Sequence, residues 1–529
     1  MLNLQKKMEK DTQIMSNIGL KAEYLLSLFA LVYFLYNAIH VFSWPSLDMA
    51  SAILNWFEPG YINNDLYTDC FGERNGRYFF MLLLYPFKYL GLGWYDSIYT
   101  MTMINSALLP VAYYLGLKVF FNWKGRALLF FLIAIIVMDP EFYVYTTVGW
   151  WNAFSYTFHP SLFSITFLFF GSFLVSKGKI GKVLGLILIS ISTFIHPLYA
   201  FYGACFLSVL WLIKDYKNAI YMQCVVICSC IFYLYLTNSS GLSIGDYHTY
   251  FTWHFPEHYI PSRYVSLGSW LSYFNINTHW IIPFVINATI MAMCTIHSLF
   301  RKDWKYFVVG TLFLLSYSGS LLIQYLFVEL YPISKIVLLA SPGRNLSFGY
   351  FMVIVLVAWK VQNITCISQF KCRFFKYVNS ILLLVTLVIA CYLFASHAKP
   401  KDIITSEDAA VIQWINDNTS KGEVVISPFN SLLKATIPLL TGRATYYGNG
   451  VPFETKCIKE NYTRYLNIYG NTTGKYGRML GQNKYNMLTE ESVNKMLPKA
   501  DYLITNNPKF SNNLIKINSK YYIYKINGN

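Results

Sequence analysis

Apolar residues run along this chain in long uninterrupted blocks, at about 24–44, 78–94, 98–121, 126–138, 159–176, 183–199, 200–213, 219–237, 279–299, 306–329, 345–362 and 378–397. Neither the two-residue alternation of a half-buried strand nor the narrow stripe of an amphipathic helix describes them. Most approach the roughly 20 residues that carry a helix across a hydrocarbon core about 30 Å thick. The pattern predicts a polytopic α-helical membrane protein. One interruption stands out: His196-Pro197 falls deep inside the run 183–213. A proline there breaks the helix and frees backbone carbonyls that a neighbouring helix or a polar cavity must satisfy.

Beyond residue 398 the pattern changes. Glu407 to Asn416 has apolar positions at helical spacing, and Glu423-Val-Val-Ile-Ser-Pro428 reads as a buried strand stopped by proline. Residues 501–505, 513–517 and 521–525 read as three closing strands, the last two separated by a hairpin-like gap. The expected organisation is a polar N-terminus (1–23), a transmembrane domain (24–397) with a first outer loop at 45–77, and a small α/β domain (398–529).

Charge orients this layout. Only 13% of residues are charged, half the share usual in soluble domains; together with the apolar blocks this excludes an ordinary soluble enzyme and a disordered chain. The net charge of +16 invites a nucleic-acid partner, but the cations gather in short loops: Lys177 to Lys182, Lys214 to Lys217, Arg301 to Lys305 and Lys371 to Lys376. Such loops mark the cytoplasmic side, so no nucleic acid is needed to explain them. They place 45–77, 238–278, 330–344 and 398–529 outside. Twelve crossings would return the C-terminus to the cytoplasm and strand Lys124 and Arg126 on the wrong face. Either one block between 78 and 138 does not cross, or two have been merged; the expectation is eleven to thirteen spans with the C-terminal domain outside.

The ten cysteines form no framework. Most sit within apolar blocks, where a thiol behaves as a small hydrophobe, and no paired spacing suggests zinc. Cys70 and Cys457 fall in outer segments, which leaves a pairing between them open. The block behind Met1–Lys21 is too long and aromatic for a cleaved signal.

Candidate chemistry lies in the outer segments. The first loop carries Asp48, Glu58, Asp65 and Asp69. A carboxylate at a membrane edge is costly and usually kept for function; it can take a proton from a hydroxyl or hold a divalent cation, or it can simply be solvated. Asp139 and Glu141, one residue apart, form a weak metal-binding pair, followed by Thr147-Val-Gly-Trp-Trp-Asn152, which reads equally as an interfacial aromatic belt. His159-Pro160 opens one block and His196-Pro197 breaks another; each histidine is either a packing residue or the lining of a polar cavity. Arg344, just before an apolar block, and Arg263, after a loop with His248, His254, Glu257 and His258, are positioned to grip lipid phosphate, or to snorkel without function.

Taken together, the Asp after the first span, the long outer loop, the short basic loops and the terminal outer domain resemble the GT-C superfamily of membrane glycosyltransferases. Ser192-Thr-Phe-Ile-His196-Pro197, Arg344, Trp414-Ile-Asn-Asp-Asn-Thr419, Gly442-Arg443-Ala and Val451-Pro-Phe453 are similar to a family of bacterial integral membrane proteins with a C-terminal periplasmic domain. The resemblance implies a GT-C-like fold in the bacterial inner membrane. It further implies transfer of a sugar from a polyprenyl-phosphate carrier to a glycan or lipid-linked acceptor of the cell-surface polysaccharide on the outer face of the bilayer. Asp48 would then be the catalytic acid of the first loop, with Asp65, Asp69, His159, His196, Arg263 and Arg344 as substrate-binding candidates. The resemblance fixes no cofactor and is compatible with a divalent cation; Asn152 stands where the related segment ends in a metal-binding acid, which bears against one. A polysaccharide polymerase or ligase, and a lipid-linked glycan transporter or flippase, use similar substrates and compete with this expectation.

Overall fold

The computed structural model describes residues 50–66, 78–121, parts of 125–133, 159–236, 278–324 with 326–327, 342–362, 404–428, 433–447, 455–470, 483–506 and 514–526. It consists of a helical bundle and a small α/β unit carrying a five-stranded sheet.

The bundle is built from α2 (Trp94–Lys118), α3 (Pro160–Val175), α4 (Gly178–Ile195), α5 (Pro197–Lys214), α6 (Tyr216–Leu236), α7 (Thr278–Phe300), α8 (Trp304–Gln324) and α9 (Gly349–Gln362). Among the described residues four segments are long and apolar enough to cross a membrane: Gly178–Ile195, Pro197–Lys214, Tyr216–Leu236 and Trp304–Ile323. Two shorter apolar stretches, Pro160–Val175 and Phe284–Phe300, run beside them. Large apolar side chains such as Ile180, Ile231, Tyr235 and Leu315 face outward, as expected where lipid rather than water surrounds a bundle.

Small residues and hydroxyls set the helix contacts. Gly171 of α3 and Gly185 of α4 face each other so closely that a Cβ on either would lie 2.8 Å or 2.6 Å from the other's carbonyl oxygen. Ser164 and Ser192 lock the same pair: the Ser164 hydroxyl lies 3.0 Å from both the carbonyl and the hydroxyl of Ser192, and Ser192 Oγ donates to the Ser164 carbonyl at 2.8 Å. Small-residue contact and interhelical hydroxyl bonds are the usual means of holding helices together without a hydrophobic driving force between them. Thr166 reaches Asn105 of α2 at 2.9 Å, and Trp211 of α5 donates to Ser172 of α3 at 3.0 Å.

The bundle has two chemically distinct ends. At one, Ile98 of α2, Phe163 of α3 and Ile195 of α4 share an apolar cluster with Ile53 of α1 (Ala50–Phe57). At the other lie Lys118, Arg126, Lys177 and Lys214, together with the turn Arg301–Lys305 and Lys360. Ring contacts of Trp359 with Phe121 and Tyr306 join these basic connections across one end of the bundle.

The block 78–94, read from its hydropathy as a span, does not form one. It folds as three short helical pieces, Tyr78–Met81, Leu82–Leu84 and Tyr85–Tyr89, before turning at Gly91 and Gly93 into α2. Twelve residues of helix reach at most about 18 Å. Phe80, Met81 and Leu84 pack into the same cluster as Ile53 and Ile195, and Lys88 donates to the Trp56 carbonyl while its ammonium lies 4.6 Å from the Trp56 ring centre. The whole piece therefore stays at the end opposite the basic loops. Pro86 early in the last piece and the left-handed Gly91 (φ +77°) stop the helix from continuing.

The C-terminal unit has strand order β2-β1-β3-β5-β4, with β1 (Val424–Ile426) parallel to β2 (Ala444–Thr445) and β3 (Tyr502–Thr505). An antiparallel pair, β4 (Leu514–Lys516) and β5 (Tyr522–Lys525), completes it against β3. Four of the five strands fall where the sequence predicts them; two-residue β2 carries too short a pattern to read. Helix α10 (Ser406–Asn418) is capped by Thr405, whose hydroxyl accepts from the Asp408 amide at 3.2 Å. It packs with α11 (Leu433–Thr441) over one face of the sheet. Over the other lies an aromatic layer that includes Tyr465 and Tyr469 of α12 (Thr455–Tyr469).

The first outer loop is part of this unit's core. Leu54 and Ile62 are buried among Val424, Ile426, Leu439 and Ala444. Asn64 Nδ2 donates to the Gly422 carbonyl at 3.1 Å. Gly442, at φ +67°, passes so close to Tyr61 that a Cβ there would lie 2.7 Å from the Tyr61 carbonyl. Trp94, at the start of α2, touches both this core and the cluster at the bundle end. The sheet unit and the bundle end carrying His159 and His196 thus meet through α1 and the loop behind it.

Candidate functional site

Two histidines cap adjacent helices at that end. His159 has extended backbone (φ −132°, ψ 132°) and Pro160 behind it at the first helical position of α3. His196 (φ −154°, ψ 93°) ends α4 and starts α5, again with proline at the first position. Proline lacks the amide that a helix start would leave orphaned, and its fixed φ favours entry into the helix. The histidine then supplies the cap. His159 Nδ1 accepts from the Ser161 amide at 3.2 Å, and His196 Nδ1 accepts from the Tyr199 amide at 3.4 Å. With Nδ1 accepting, the neutral form of each imidazole has its proton on Nε2.

The two rings are nearly buried, with centres 6.3 Å apart. Ser164 Oγ, held by α4, also lies 3.3 Å from the His196 carbonyl, so the break in the helix is stitched to α3. Tyr199 continues the cluster: its ring meets His196 edge-on at 5.1 Å and Phe348 at 6.1 Å. The polar neighbours of its hydroxyl are Arg344 and Ser347. These belong to the 3₁₀ turn Pro342–Phe348 that leads into α9; Ser347 Oγ donates to the Arg344 carbonyl at 2.6 Å, and Asn345 ties the turn to α8 through the Ser316 carbonyl at 3.0 Å. Gly203 of α5 lets Phe348 approach, since a Cβ there would stand 3.2 Å from its ring.

Two sequence candidates, His159 and His196, are thus neighbours at the helix ends, and Arg344 lies within electrostatic reach of Tyr199, which meets His196. Asp65 is fully buried in the loop that docks against the sheet, between Asn64, which holds Gly422, and the buried Leu66. Glu58 is exposed and raises the hydroxyl pKa of Tyr61, as burial does more strongly; Arg443 opposes both. Asp48, Asp69, Asp139, Glu141, Asn152 and Arg263 lie outside the described residues, as do Cys70 and the side chain of Cys457. Among the described residues no three His, Cys, Asp or Glu side chains converge as metal ligands.

Sequence reasoning missed Tyr199 and Ser164, and took Ser192 only as part of the string ending in His196-Pro197. Tyr199 stands three residues after His196, where the first turn of a helix started by proline returns a side chain to its cap; that spacing was the available signal. The serines look like ordinary small residues of an apolar run, and only the α3–α4 contact gives them meaning.

Arg443, singled out in the Gly442-Arg443-Ala string, has a structural task. Its guanidinium donates to the carbonyls of Asn416, Thr419 and Thr441 and, at 3.1 Å, to Thr419 Oγ1, closing the C-terminal end of α10 and that of α11. Cations belong at helix C-termini, where carbonyls are unsatisfied.

Comparison with protein-family models and with curated proteins returns no match.

Proposed function

We propose that this chain is a polytopic membrane glycosyltransferase that takes a sugar from a polyprenyl-phosphate carrier and passes it to a surface-glycan acceptor on the outer side of the bilayer. The observation that carries the reading is the cluster of His159, His196, Tyr199 and Arg344 at the end of the bundle that bears the sheet unit. Two helix N-termini converge there, each with a partial positive charge. Two imidazole Nε2–H donors and a guanidinium complete a set suited to phosphate oxygens. The flanking helices are apolar, which suits a ligand whose phosphate is attached to a hydrocarbon chain.

The topology follows. With 78–89 lying along the outer surface, the twelve apolar blocks become eleven crossings. All the basic connections then face the cytoplasm, Arg126 included, and the first loop and the sheet unit share the outside. In this scheme the first loop, clamped to the sheet by Asn64 and Gly442, is held beside the phosphate cluster. Asp48 draws the acceptor proton while Arg344 and the histidines stabilise the departing phosphate.

The test is the protein reconstituted with synthetic polyprenyl-phosphate sugars after mass spectrometry of the lipids that co-purify with it. Asp48→Asn should lower turnover by about 10² or more while carrier binding persists. Arg344→Lys keeps the charge but loses the two-point fork, so carrier affinity should fall instead. Wild-type turnover in Asp48→Asn, or unchanged carrier affinity in Arg344→Lys, would sink the assignment.

A further inference from the structure

The opposite end of the bundle carries a second charged site. Four cations from three chain connections converge there. Lys118 ends α2, Arg126 follows a few residues later, Lys177 lies in the turn between α3 and α4, and Lys214 ends α5. The ammoniums of Lys177 and Lys118 lie 4.7 Å and 5.9 Å from the centre of the same ring, that of Phe173. Lys214 is within electrostatic reach of both Arg126 and Lys177. Its ammonium donates to the Val119 carbonyl and stands 5.8 Å from the Trp211 ring centre. Arg126 Nε lies 2.9 Å from the Phe121 carbonyl.

Part of this is helix capping: cations near carbonyl ends are favourable. Lys118 also lies 5.3 Å from the Tyr114 ring of its own helix; gathering the two lysines beside two further cations still costs energy, because like charges repel. Asp215, the nearest carboxylate in sequence, accepts from the Lys217 amide at 3.1 Å and brings one negative charge against the four cations. An anion at the centre would relieve the repulsion.

The surroundings decide which anion. The basic cluster has an aromatic collar in Phe120, Phe173 and Trp211. Beside it are outward-facing aliphatic side chains: Ile180, Val183 and Leu184 of α4 and Leu212 of α5. A charged head against the cations and acyl chains along the aliphatic face describe an anionic phospholipid, not a free ion. We infer that the basic end of the helices α2 to α5 is a binding site for the headgroup of an anionic phospholipid in the adjoining leaflet. The inference rests on the transmembrane arrangement proposed above and not on the sugar chemistry.

The test uses the full-length protein reconstituted in bilayers of equal phosphatidylglycerol and phosphatidylcholine and then ejected for native mass spectrometry. Lys118→Gln with Lys177→Gln removes two cations of the site; Lys302→Gln with Lys305→Gln removes two from another basic turn at the same end. Each lysine near an anionic surface is worth about a fivefold change in affinity, so the first pair should reduce retained phosphatidylglycerol by tenfold or more and the second should leave it near wild type. Thermal midpoints of both pairs check that the protein remains folded; if the first pair unfolds, Lys177→Gln alone, in the exposed turn, should give a severalfold loss. Equal loss in the two pairs would mean diffuse surface charge and overturn the site. Equal retention of phosphatidylcholine, or displacement of the lipid by inorganic phosphate at constant ionic strength, would overturn the phospholipid assignment. Lipid retention requires no turnover, so its failure leaves the transferase reading standing, and an inactive enzyme that still retains the lipid leaves this one standing.

Discussion

At Gly442 the first outer loop and the sheet unit touch closely. Its φ of +67° is in the left-handed region, and a methyl group would stand 2.7 Å from the Tyr61 carbonyl. Left-handed backbone costs a non-glycine residue roughly 1–2 kcal/mol, and here the contact adds to it. Gly442→Ala should therefore loosen the loop, seen as faster proteolytic cleavage near 58–64 and a lower thermal midpoint. Gly470, also left-handed (φ +66°) but with nothing nearer to a Cβ than the Lys484 side chain at 3.5 Å, should cost only the backbone part when changed to Ala. Equal effects at the two positions would mean that loop contact contributes nothing. Lys434 offers a second residue-scale test. Burial lowers its ammonium pKa from 10.5 to about 8. Below pH 8 the folded state bears the whole cost of that charge. Between pH 8 and 10.5 the folded protein gives up the proton before the unfolded chain does, so stability rises with pH. Above pH 10 the sign reverses, because Tyr447, Tyr469 and Tyr485 are held well above the ordinary tyrosine value by burial and ionise more readily when unfolded. The thermal midpoint should climb from pH 8 toward pH 10, and Lys434→Met should raise it at pH 7 and flatten the climb. A wild-type midpoint that stays flat across this range would show that the ammonium is not desolvated.

At the scale of elements, the α3–α4 pair is held by two glycines facing each other across the contact. Gly171 and Gly185 each face the other's carbonyl with no room for a side chain. Gly185→Leu should separate the two helices at this level, destabilise by about 1–3 kcal/mol as an overpacked contact does, and strain the Ser164–Ser192 bonds about two turns away. Circular dichroism should show helix content kept while the detergent midpoint falls; an unchanged midpoint would mean the helices can slide apart freely. The same level shows what a sequence discloses and what it does not. The break at His196-Pro197 was legible because a proline deep in an apolar run removes a helix hydrogen bond and favours a break, although α2 carries Pro110 without one, and the strands at 424–426, 502–505 and 522–525 were legible from their apolar runs. The block 78–94 misled because hydropathy measures apolar content, which an interfacial piece and a crossing helix share; Pro86, Gly91 and Gly93 carried the correction. The site was legible as His159, His196 and Arg344, separately. That they adjoin depends on α3, α5 and the turn 342–348 meeting, which no local pattern encodes.

The whole molecule has two chemically different sides. Every described basic connection lies at one end of the bundle, and the sheet unit, the first loop and the pieces 78–89 lie at the other. Four described helices are long and apolar enough to cross a membrane. If the bilayer runs between the two ends, Tyr89 and Lys499 must share one compartment and Lys179 and Lys302 the other. Tyr89 is 82% exposed, so a cysteine there is available to an impermeant maleimide. In intact cells Tyr89→Cys and Lys499→Cys should be labelled above the background of the native thiols, whereas Lys179→Cys and Lys302→Cys should be labelled only after permeabilisation. A reporter fused after Lys399 should be active only outside the cytoplasm. The position of Tyr89 is decisive. Were 78–94 a crossing helix, its two ends would lie on opposite sides, and Phe80 could not pack with Ile53 and Ile195 while Lys88 bonds Trp56 at the same end. Labelling of Tyr89→Cys from the side that also labels Lys179→Cys would therefore refute the eleven-crossing arrangement, and with it the placing of the histidine–arginine cluster on the outer face.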